Sequence, residues 1–491
     1  MKRKPQALFP HLLLEAGCIK ENVYHTIRNA ILDGRLSAGI KLPSSRAFAE
    51  MMSISRNSVI AGFERLIDEG YLVTRQGSGT YVSTTIPDEL VKLTSKTDPL
   101  DKQQYSAPNL NPVMSHLTTL WKTSRPNTNK KQMFNIGIGC VDQFPHDLWG
   151  RLLGRIWRRS KQEIPHYNHP AGYPPLKRIL VDYVHSTRGV NCSEEQIIIV
   201  NGTQQAINLT ASVLLQQGSS VWLDDPGYDS ARAILTARGA NICPIPSESD
   251  GMNITMAAQT YPDACLVYTA PSHQFPLGTT LSLTKRLALL EWANKNQAWI
   301  FEDDYNSEFR YLSKPTLQGL DAHQRVIYAG TFSKMMYPGF RLGFLIVPKI
   351  LIEPFTMMKY YSDSHSGYLE QAALAQFIQE GHYARHVRKV RKVCYSRQNA
   401  LISAINTYLP HVFNVEQTDS GIHAVCWLKP GISLPFILST CHQLGFGVQP
   451  LSRYCMNSHE NNAILFGYAA HTETEITRSI IALSHALQTI K

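Results

Sequence analysis

The chain has 491 residues, with 48 Lys and Arg against 38 Asp and Glu, 43% apolar residues and 18% charged ones. At roughly 100–200 residues per domain this is two or three domains with enough apolar side chains for a sizeable core, which excludes a disordered chain. No apolar run approaches the ~18 residues of a membrane-spanning helix. Nine scattered cysteines without a Cys-x-x-Cys pair argue against a disulfide framework or a zinc site and fit a reducing cytoplasm. The excess of ten positive charges leaves nucleic acid open as a partner. The start, Met1-Lys2-Arg3-Lys4, is basic, but Pro10, His11 and Glu15 break the apolar stretch behind it, so no secretory leader is expected.

Residues 1–83 read as helices followed by a hairpin. Val23, Ile27, Ala30 and Ile31 make one apolar helix face that Gly34 stops. Leu42-Pro43-Ser44-Ser45 precedes a second short helix through Met52, which Ser44 or Ser45 can cap. After the turn Ser53-Ile54-Ser55, Ser55 can cap a third helix with the face Val59, Phe63, Leu66 and Ile67, ended by Gly70. Two alternating runs, 71–75 and 80–83, flank Gln76-Gly77-Ser78-Gly79, a hairpin with a glycine tip. This is the element order of a winged helix-turn-helix. Arg56, Asn57 and Ser58 open the third helix, where base edges are read. Arg and Asn pair bidentately with guanine and adenine, and Ser55 with the helix start suits a phosphate. Arg46 begins the second helix and would touch the backbone, while Arg75 and Gly77 at the wing can approach a groove closely. Eleven basic against seven acidic residues in 1–83 support this mildly. Leu42–Arg46, Ser55–Val59, Leu66–Leu72 and Gln76–Val82 resemble the GntR family of bacterial regulators, which implies double-stranded operator DNA as a partner.

Residues 84–132 are polar and carry Pro87, Pro99, Pro108, Pro112 and Pro126. They read as a linker, with one short helix near Val113–Trp121. From Met133 to Lys491, β-rich runs alternate with longer helical patterns. The runs are Ile197–Val200, Ser220–Leu223, Leu266–Tyr268, Trp299–Glu302, Val326–Tyr328 and Gly343–Val347. That alternation predicts an α/β sheet with crossover helices.

Four strand ends in this region carry candidate chemistry. Thr331-Phe332-Ser333-Lys334 follows one strand, and a lysine there can form a Schiff base with an aldehyde cofactor. Thr331, Ser333 and the later Arg341 suit a phosphate. In Glu302-Asp303-Asp304-Tyr305, strand alternation puts Asp303 and Tyr305 on one face and Asp304 on the other. A carboxylate at Asp303 would keep a pyridine nitrogen protonated, and the Tyr305 phenol could bond the ring's 3-oxygen. Asn201-Gly202-Thr203-Gln204 opens a helix after a strand, a phosphate cup of free amides and a hydroxyl. Tyr228, in Asp225-Pro226-Gly227-Tyr228, is placed to stack on the ring.

Together these segments resemble a fold-type I pyridoxal-phosphate aminotransferase over roughly 133–491. The resemblance implies pyridoxal 5'-phosphate as cofactor and Lys334 as the aldimine lysine. Asp303, Tyr305 and Tyr228 would surround the ring, with Gly202, Thr203, Gln204, Thr331, Ser333 and Arg341 around the phosphate. His166–Tyr173 matches the family's Tyr-x-x-Pro-x-Gly segment, in which Tyr167 would reach the neighbouring subunit's site, implying a homodimer. Two departures stand out. Where the family often has Asn-Pro-x-Gly, this chain reads Phe275-Pro276-Leu277-Gly278, leaving Gln274 or His273 as substitutes. The late strand Ile464–Tyr468 lacks the arginine that holds a substrate carboxylate, leaving Arg453, and more weakly Arg232, to take that role.

The order of the two halves is that of the MocR/GabR subfamily of GntR regulators. The resemblance implies a cytoplasmic transcription factor that senses an amine or amino-acid effector, or pyridoxal phosphate itself, with no catalytic residues in use. The alternatives are a working aminotransferase with an appended DNA domain and a cofactor-free scaffold for dimers. No metal site and no membrane partner are expected.

Overall fold

The computed structural model describes residues 19–85, 113–114, 117–118, 121, 132–159, 167–310, 314–419, 421–457 and 462–488. Most of the expected linker lies outside them, but the described residues 113, 114, 117, 118 and 121 of the expected helix near Val113–Trp121 are helical. The chain divides into two compact units, Met1–Asn109 and Leu110–Lys491.

The first unit holds helices α1 (Ile19–Leu32), α2 (Ser45–Met52) and α3 (Arg56–Asp68) and the hairpin of β1 (Leu72–Arg75) and β2 (Gly79–Val82). Ser44 caps α2 and Ser55 caps α3, each accepting a backbone N–H of the first turn, which removes one of the unpaired donors every helix start carries. The predicted faces form the core: Val23, Ile27, Ala30 and Ile31 meet Val59, Phe63 and Leu66. Gly62 permits the α1–α3 approach, since a Cβ there would lie 2.8 Å from Val23 Cγ1. The wing pairs Leu72 with Val82 and Arg75 with Gly79. Its tip is therefore Gln76-Gly77-Ser78, with Gly77 at φ +73°, and Gly79 belongs to β2.

The second unit is built on an eight-stranded sheet. Its strands are β3 (Ile197–Val200), β4 (Ser220–Asp225), β5 (Asn241–Glu248), β6 (Gly251–Met252), β7 (Leu266–Thr269), β8 (Trp299–Asp304), β9 (Val326–Thr331) and β10 (Gly343–Ile346), in the order β3-β10-β9-β8-β7-β4-β5-β6. All six predicted strands are present. β4, β5, β7, β8 and β9 run parallel, while β10 runs against both β9 and β3. β3, β4, β7, β8 and β9 are almost fully buried, with polar residues gathered mainly at the carboxyl ends of β4 and β8, as in a sheet covered by helices on both faces. A second, antiparallel sheet follows: β11 (Phe413–Val415), β12 (His423–Leu428), β13 (Gln449–Pro450) and β14 (Ala463–Gly467), in the order β11-β12-β14-β13. Among the described residues no helix is long and apolar enough to cross a membrane.

Candidate functional site

The strands that carry the candidate residues end at one edge of the large sheet. β3 and β9 both run against β10 and so point the same way as β4, β7 and β8. Ligand crevices of open α/β sheets lie outside such carboxyl ends. Val200 hands the chain to Asn201-Gly202, Asp225 to Tyr228, and Thr331 to Ser333 and Lys334, while Asp303 sits one residue from the end of β8.

On β8 the two carboxylates part as the strand period requires. Tyr268 donates its hydroxyl to Asp303 Oδ2 at 2.6 Å. Asp304 turns the other way, to Arg188 Nε at 3.1 Å and the hydroxyl of Tyr328. Burial pushes Asp303 up to about 7, against the pull of the Tyr268 hydrogen bond and the Lys334 amine. Burial also raises the Tyr305 phenol well above its ordinary range, and the Asp303 charge adds to the rise.

Lys334 Nζ donates to the carbonyl oxygen of Gly137 at 2.8 Å. Burial lowers its pKa, opposed by Asp303 and aided by Arg341. The loop Gly137-Ile138-Gly139 must be glycine-rich here: a Cβ on Gly139 would lie 2.0 Å from the Lys334 carbonyl oxygen. Ser333 is buried, and its N–H donates to Thr331 Oγ1 at 3.3 Å.

The cup forms where β3 meets the helix Thr203–Leu214. Gly202 precedes that helix at φ +89°, and a Cβ on it would lie 3.1 Å from the Arg341 guanidinium. Arg341 donates to the Asn201 carbonyl at 2.8 Å. Thr203 is half-buried and Gln204 exposed in the first turn, where backbone N–H groups lack helical partners. Burial raises the Tyr228 phenol's pKa, while hydrogen bonds from the Ser230 and Gln204 side chains lower it. Beneath the cup, Asp363 accepts from Asn201 Nδ2 and Gln205 Nε2, each at 2.8 Å, and pairs with the buried Lys359. Asp363, Lys359, Tyr268, Gly137 and Gly139 were not singled out from sequence.

Three polar atoms at this sheet edge, Asp303 Oδ1, the Tyr305 hydroxyl and Ser333 Oγ, are buried without a hydrogen-bond partner among the described residues. Each such atom costs about 1–3 kcal/mol, so their collection around a buried amine marks a place shaped for a polar ligand. A protonated ring nitrogen suits Asp303, a ring oxygen suits Tyr305, and phosphate oxygens suit Ser333, Arg341 and the helix start. The residues present thus fit pyridoxal 5'-phosphate.

Other expected residues stand differently. Gln274 is engaged within its own loop: its Nε2 donates to the Pro226 carbonyl at 2.6 Å and its Oε1 accepts from Leu277 N at 3.1 Å. The ring near Tyr305 is His273, at 6.1 Å between centroids. Arg453 is engaged with Asp229 Oδ2 at 3.3 Å and Gln449 Oε1 at 2.8 Å, and Arg232 donates to the Cys455 carbonyl at 3.3 Å. Tyr167 is 90% exposed, its ring 6.1 Å from that of His365.

In the first unit, Arg56 and Asn57 are exposed at the start of α3. Ser58 is buried and its hydroxyl meets that of Ser55 at 2.8 Å, so this serine builds the cap and does not face outward with its neighbours. Arg46 is exposed and pairs with Glu50 at 3.2 Å. Arg75 lies over the Tyr81 ring at 4.9 Å, and Lys41, a cation sequence reasoning passed over, lies over it at 5.7 Å.

Comparison with known proteins divides along the same line. Residues 19–82 match the family "Bacterial regulatory proteins, gntR family" and residues 133–432 match "Aminotransferase class I and II". The probable rhizopine catabolism regulatory protein MocR of Rhizobium meliloti is 34% identical over 467 residues, covering 94% of this chain and 92% of the relative. The pyridoxine biosynthesis transcriptional regulator PdxR of Corynebacterium glutamicum is 28% identical over 98% of both chains. Among solved structures, an archaeal alanine:glyoxylate aminotransferase superposes with a TM-score of 0.68 at 24% identity, covering 77% of this chain and 94% of that one.

Proposed function

The chain belongs to the MocR/GabR subfamily of GntR-family regulators, a winged helix-turn-helix joined to an aminotransferase class I and II domain that takes pyridoxal phosphate, and from that premise we propose that it regulates transcription by sensing an amine, an amino-acid-type effector or pyridoxal phosphate itself at Lys334. The DNA-reading head spans 1–83, the linker 84–132 and the effector domain 133–491. The observation that carries the reading is the buried Lys334 amine set beside the unsatisfied atoms of Asp303, Tyr305 and Ser333.

When bound, pyridoxal phosphate supplies an aldehyde carbon that accepts a primary amine and a ring that draws electrons. Lys334 would hold the aldehyde carbon, Asp303 the ring nitrogen, Tyr305 the 3-oxygen, and Tyr228 one ring face. Gly202, Thr203, Gln204, Thr331, Ser333 and Arg341 would hold the phosphate. Desolvation keeps the Lys334 amine easier to deprotonate than a surface lysine, which favours nucleophilic attack. An effector with affinity for only one arrangement of the protein would shift the population toward it. The head reads DNA through Arg56 and Asn57 at the base edges, with Ser55, Arg46, Arg75 and Gly77 at the backbone and wing. A homodimer in the cytoplasm, with Tyr167 reaching the neighbouring site, fits that exposed ring and a two-half-site operator.

The second reading is an active aminotransferase with an appended DNA domain, favoured by the TM-score of 0.68 to an aminotransferase. One experiment separates the two. The cofactor-loaded protein is titrated with candidate amines and a keto acid while its visible band and its binding to DNA upstream of its own gene are followed. A single spectral change that alters DNA binding supports the regulator, repeated turnover supports the enzyme, and a protein that takes up no cofactor removes both.

A further inference from the structure

A cavity of about 90 Å³ opens between the loop after β7 and the β12 strand. His273 and Leu277 come from the loop, His423 and Trp427 from β12, and Glu416 and Thr418 from the segment after β11. Strand alternation puts residues 423, 425 and 427 on one face of β12, while Ala424, Cys426 and Leu428 are buried in the core on the other. The deep end is formed by His273 and His423, both buried, with rings 6.3 Å apart. The outer end is the exposed Glu416 and Trp427, a residue 40% exposed. Gly278 and Gly421 hold His273 closely: a Cβ on either would lie 3.2 Å from its Cε1.

Glu416 is the one formally charged residue among those that line this pocket. Burial drives both imidazoles below their ordinary range, the Arg310 charge adding to this at His273 and the Lys334 charge at His423, so they are neutral. His423 Nε2 lies 2.9 Å from the Pro276 carbonyl oxygen and can only donate to it, which makes its Nδ1 the acceptor of the ring. Arg310, the nearby buried cation, turns to Thr280 Oγ1 at 2.6 Å and is not part of the wall. The Glu416 carboxylate, the Trp427 indole and the Nδ1 acceptor of His423 form a set that attracts an organic cation.

We propose that this pocket is a second small-molecule site whose ligand is a small organic ammonium ion. It goes beyond the reading above, because binding here needs no reaction at Lys334. The site adjoins the cradle through packed rings. His273 is 6.1 Å from Tyr305, and His423 is 5.5 Å from Phe275, which is 5.9 Å from Tyr228. A ligand seated on the two histidines presses on the residues that back Tyr305 and Tyr228, and the cradle registers it without a covalent bond.

The test uses tetramethylammonium chloride, which cannot condense with an aldehyde, titrated calorimetrically into the full-length protein, with sodium chloride and sodium acetate at matched ionic strength as controls. Saturable binding of tetramethylammonium alone is expected, weakened roughly fivefold or more in Glu416→Gln and also weakened in Trp427→Leu. Absence of saturable heat, saturable binding of acetate in its place, or unchanged affinity in Glu416→Gln overturns the proposal. In the loaded protein the same titration should shift the visible band. A protein with no band at all would sink the Lys334 reading and leave the calorimetric answer standing.

Discussion

Lys334 Nζ donates to the carbonyl oxygen of Gly137 at 2.8 Å, across 197 residues of sequence. A backbone loop therefore positions the reactive amine, and Gly139 completes the grip because any side chain there meets the Lys334 carbonyl. Lys334→Ala should abolish the visible band of the loaded protein and the pyridoxyl adduct that borohydride fixes to this side chain. Gly139→Ala should lower the yield of that adduct strongly, since a Cβ 2.0 Å from an oxygen forces the loop away. Mass spectrometry of the reduced protein reads both, and an adduct on another lysine would displace Lys334 from its assigned role.

The pattern of what the sequence disclosed follows from the range of the interactions. Asp303, Tyr305 and Lys334 were legible because strand ends and two-residue alternation are local properties, and the structure puts Asp303 and Asp304 on opposite faces as alternation demands. The partners that fix them were not legible. Tyr268 belongs to the neighbouring strand and Gly137 to a distant loop, and neither residue type announces its role. The head was read almost element by element, because its caps and apolar faces are local. Ser58 was the exception: a serine one turn into a helix can face water or close the cap, and here it is buried against Ser55. The antiparallel direction of β10 and the strands β5, β6, β11, β12 and β13 depend on tertiary pairing and escaped periodicity, whereas β14 was read as the late strand Ile464–Tyr468.

In the head, the exposed Arg56 and the capping Ser55 should separate cleanly. Arg56→Ala should weaken binding to the cognate site by about 1–3 kcal/mol if the guanidinium reads a base, with the melting temperature little changed. Ser55→Ala should instead destabilise the head by about 1 kcal/mol, because the Ser58 N–H loses its side-chain acceptor at the start of α3 and keeps the Ser55 carbonyl alone. Fluorescence anisotropy on cognate and scrambled duplexes, paired with thermal melts, distinguishes them. Equal loss of affinity on both duplexes in Arg56→Ala would make it a backbone contact.

The buried carboxyl of Asp303 predicts a pH dependence with a definite sign. Burial pushes it up to about 7, whereas an unfolded Asp titrates near ~3.9. Between these values the folded chain keeps a proton that the unfolded chain has released. Stability of the cofactor-free protein therefore falls as pH rises through this window, by at most roughly 1.4 kcal/mol per pH unit for one group. Burial also pushes Asp224 and Glu302 up to about 7, so they act in the same direction. Asp303→Asn should flatten the decline in the urea midpoint between about pH 5 and pH 7. An identical decline in variant and wild type would mean that Asp303 is not protonated in the folded chain.

Asp363 is the residue on which the phosphate cup rests. It holds Asn201 Nδ2 and Gln205 Nε2 at 2.8 Å each, and Gln205 in turn accepts the Asn201 N–H at 2.7 Å. Its charge is matched by Lys359, which is fully buried, so removing the carboxylate leaves an uncompensated ammonium as well as a loosened loop. Breaking a fully buried pair costs about 3–5 kcal/mol; the Asp363 side chain is 26% exposed, so Asp363→Asn should cost less than that while lowering the melting temperature and the affinity for pyridoxal phosphate together. The double variant Lys359→Met, Asp363→Asn removes both charges and keeps an amide near Asn201 and Gln205. It should recover most of the stability while cofactor affinity stays reduced, because a neutral amide oxygen accepts the Asn201 and Gln205 N–H groups more weakly than the charged Asp363 Oδ2 that takes both. Cofactor affinity that returns in step with stability would show that Asp363 acts through the ion pair alone and does not position the cup.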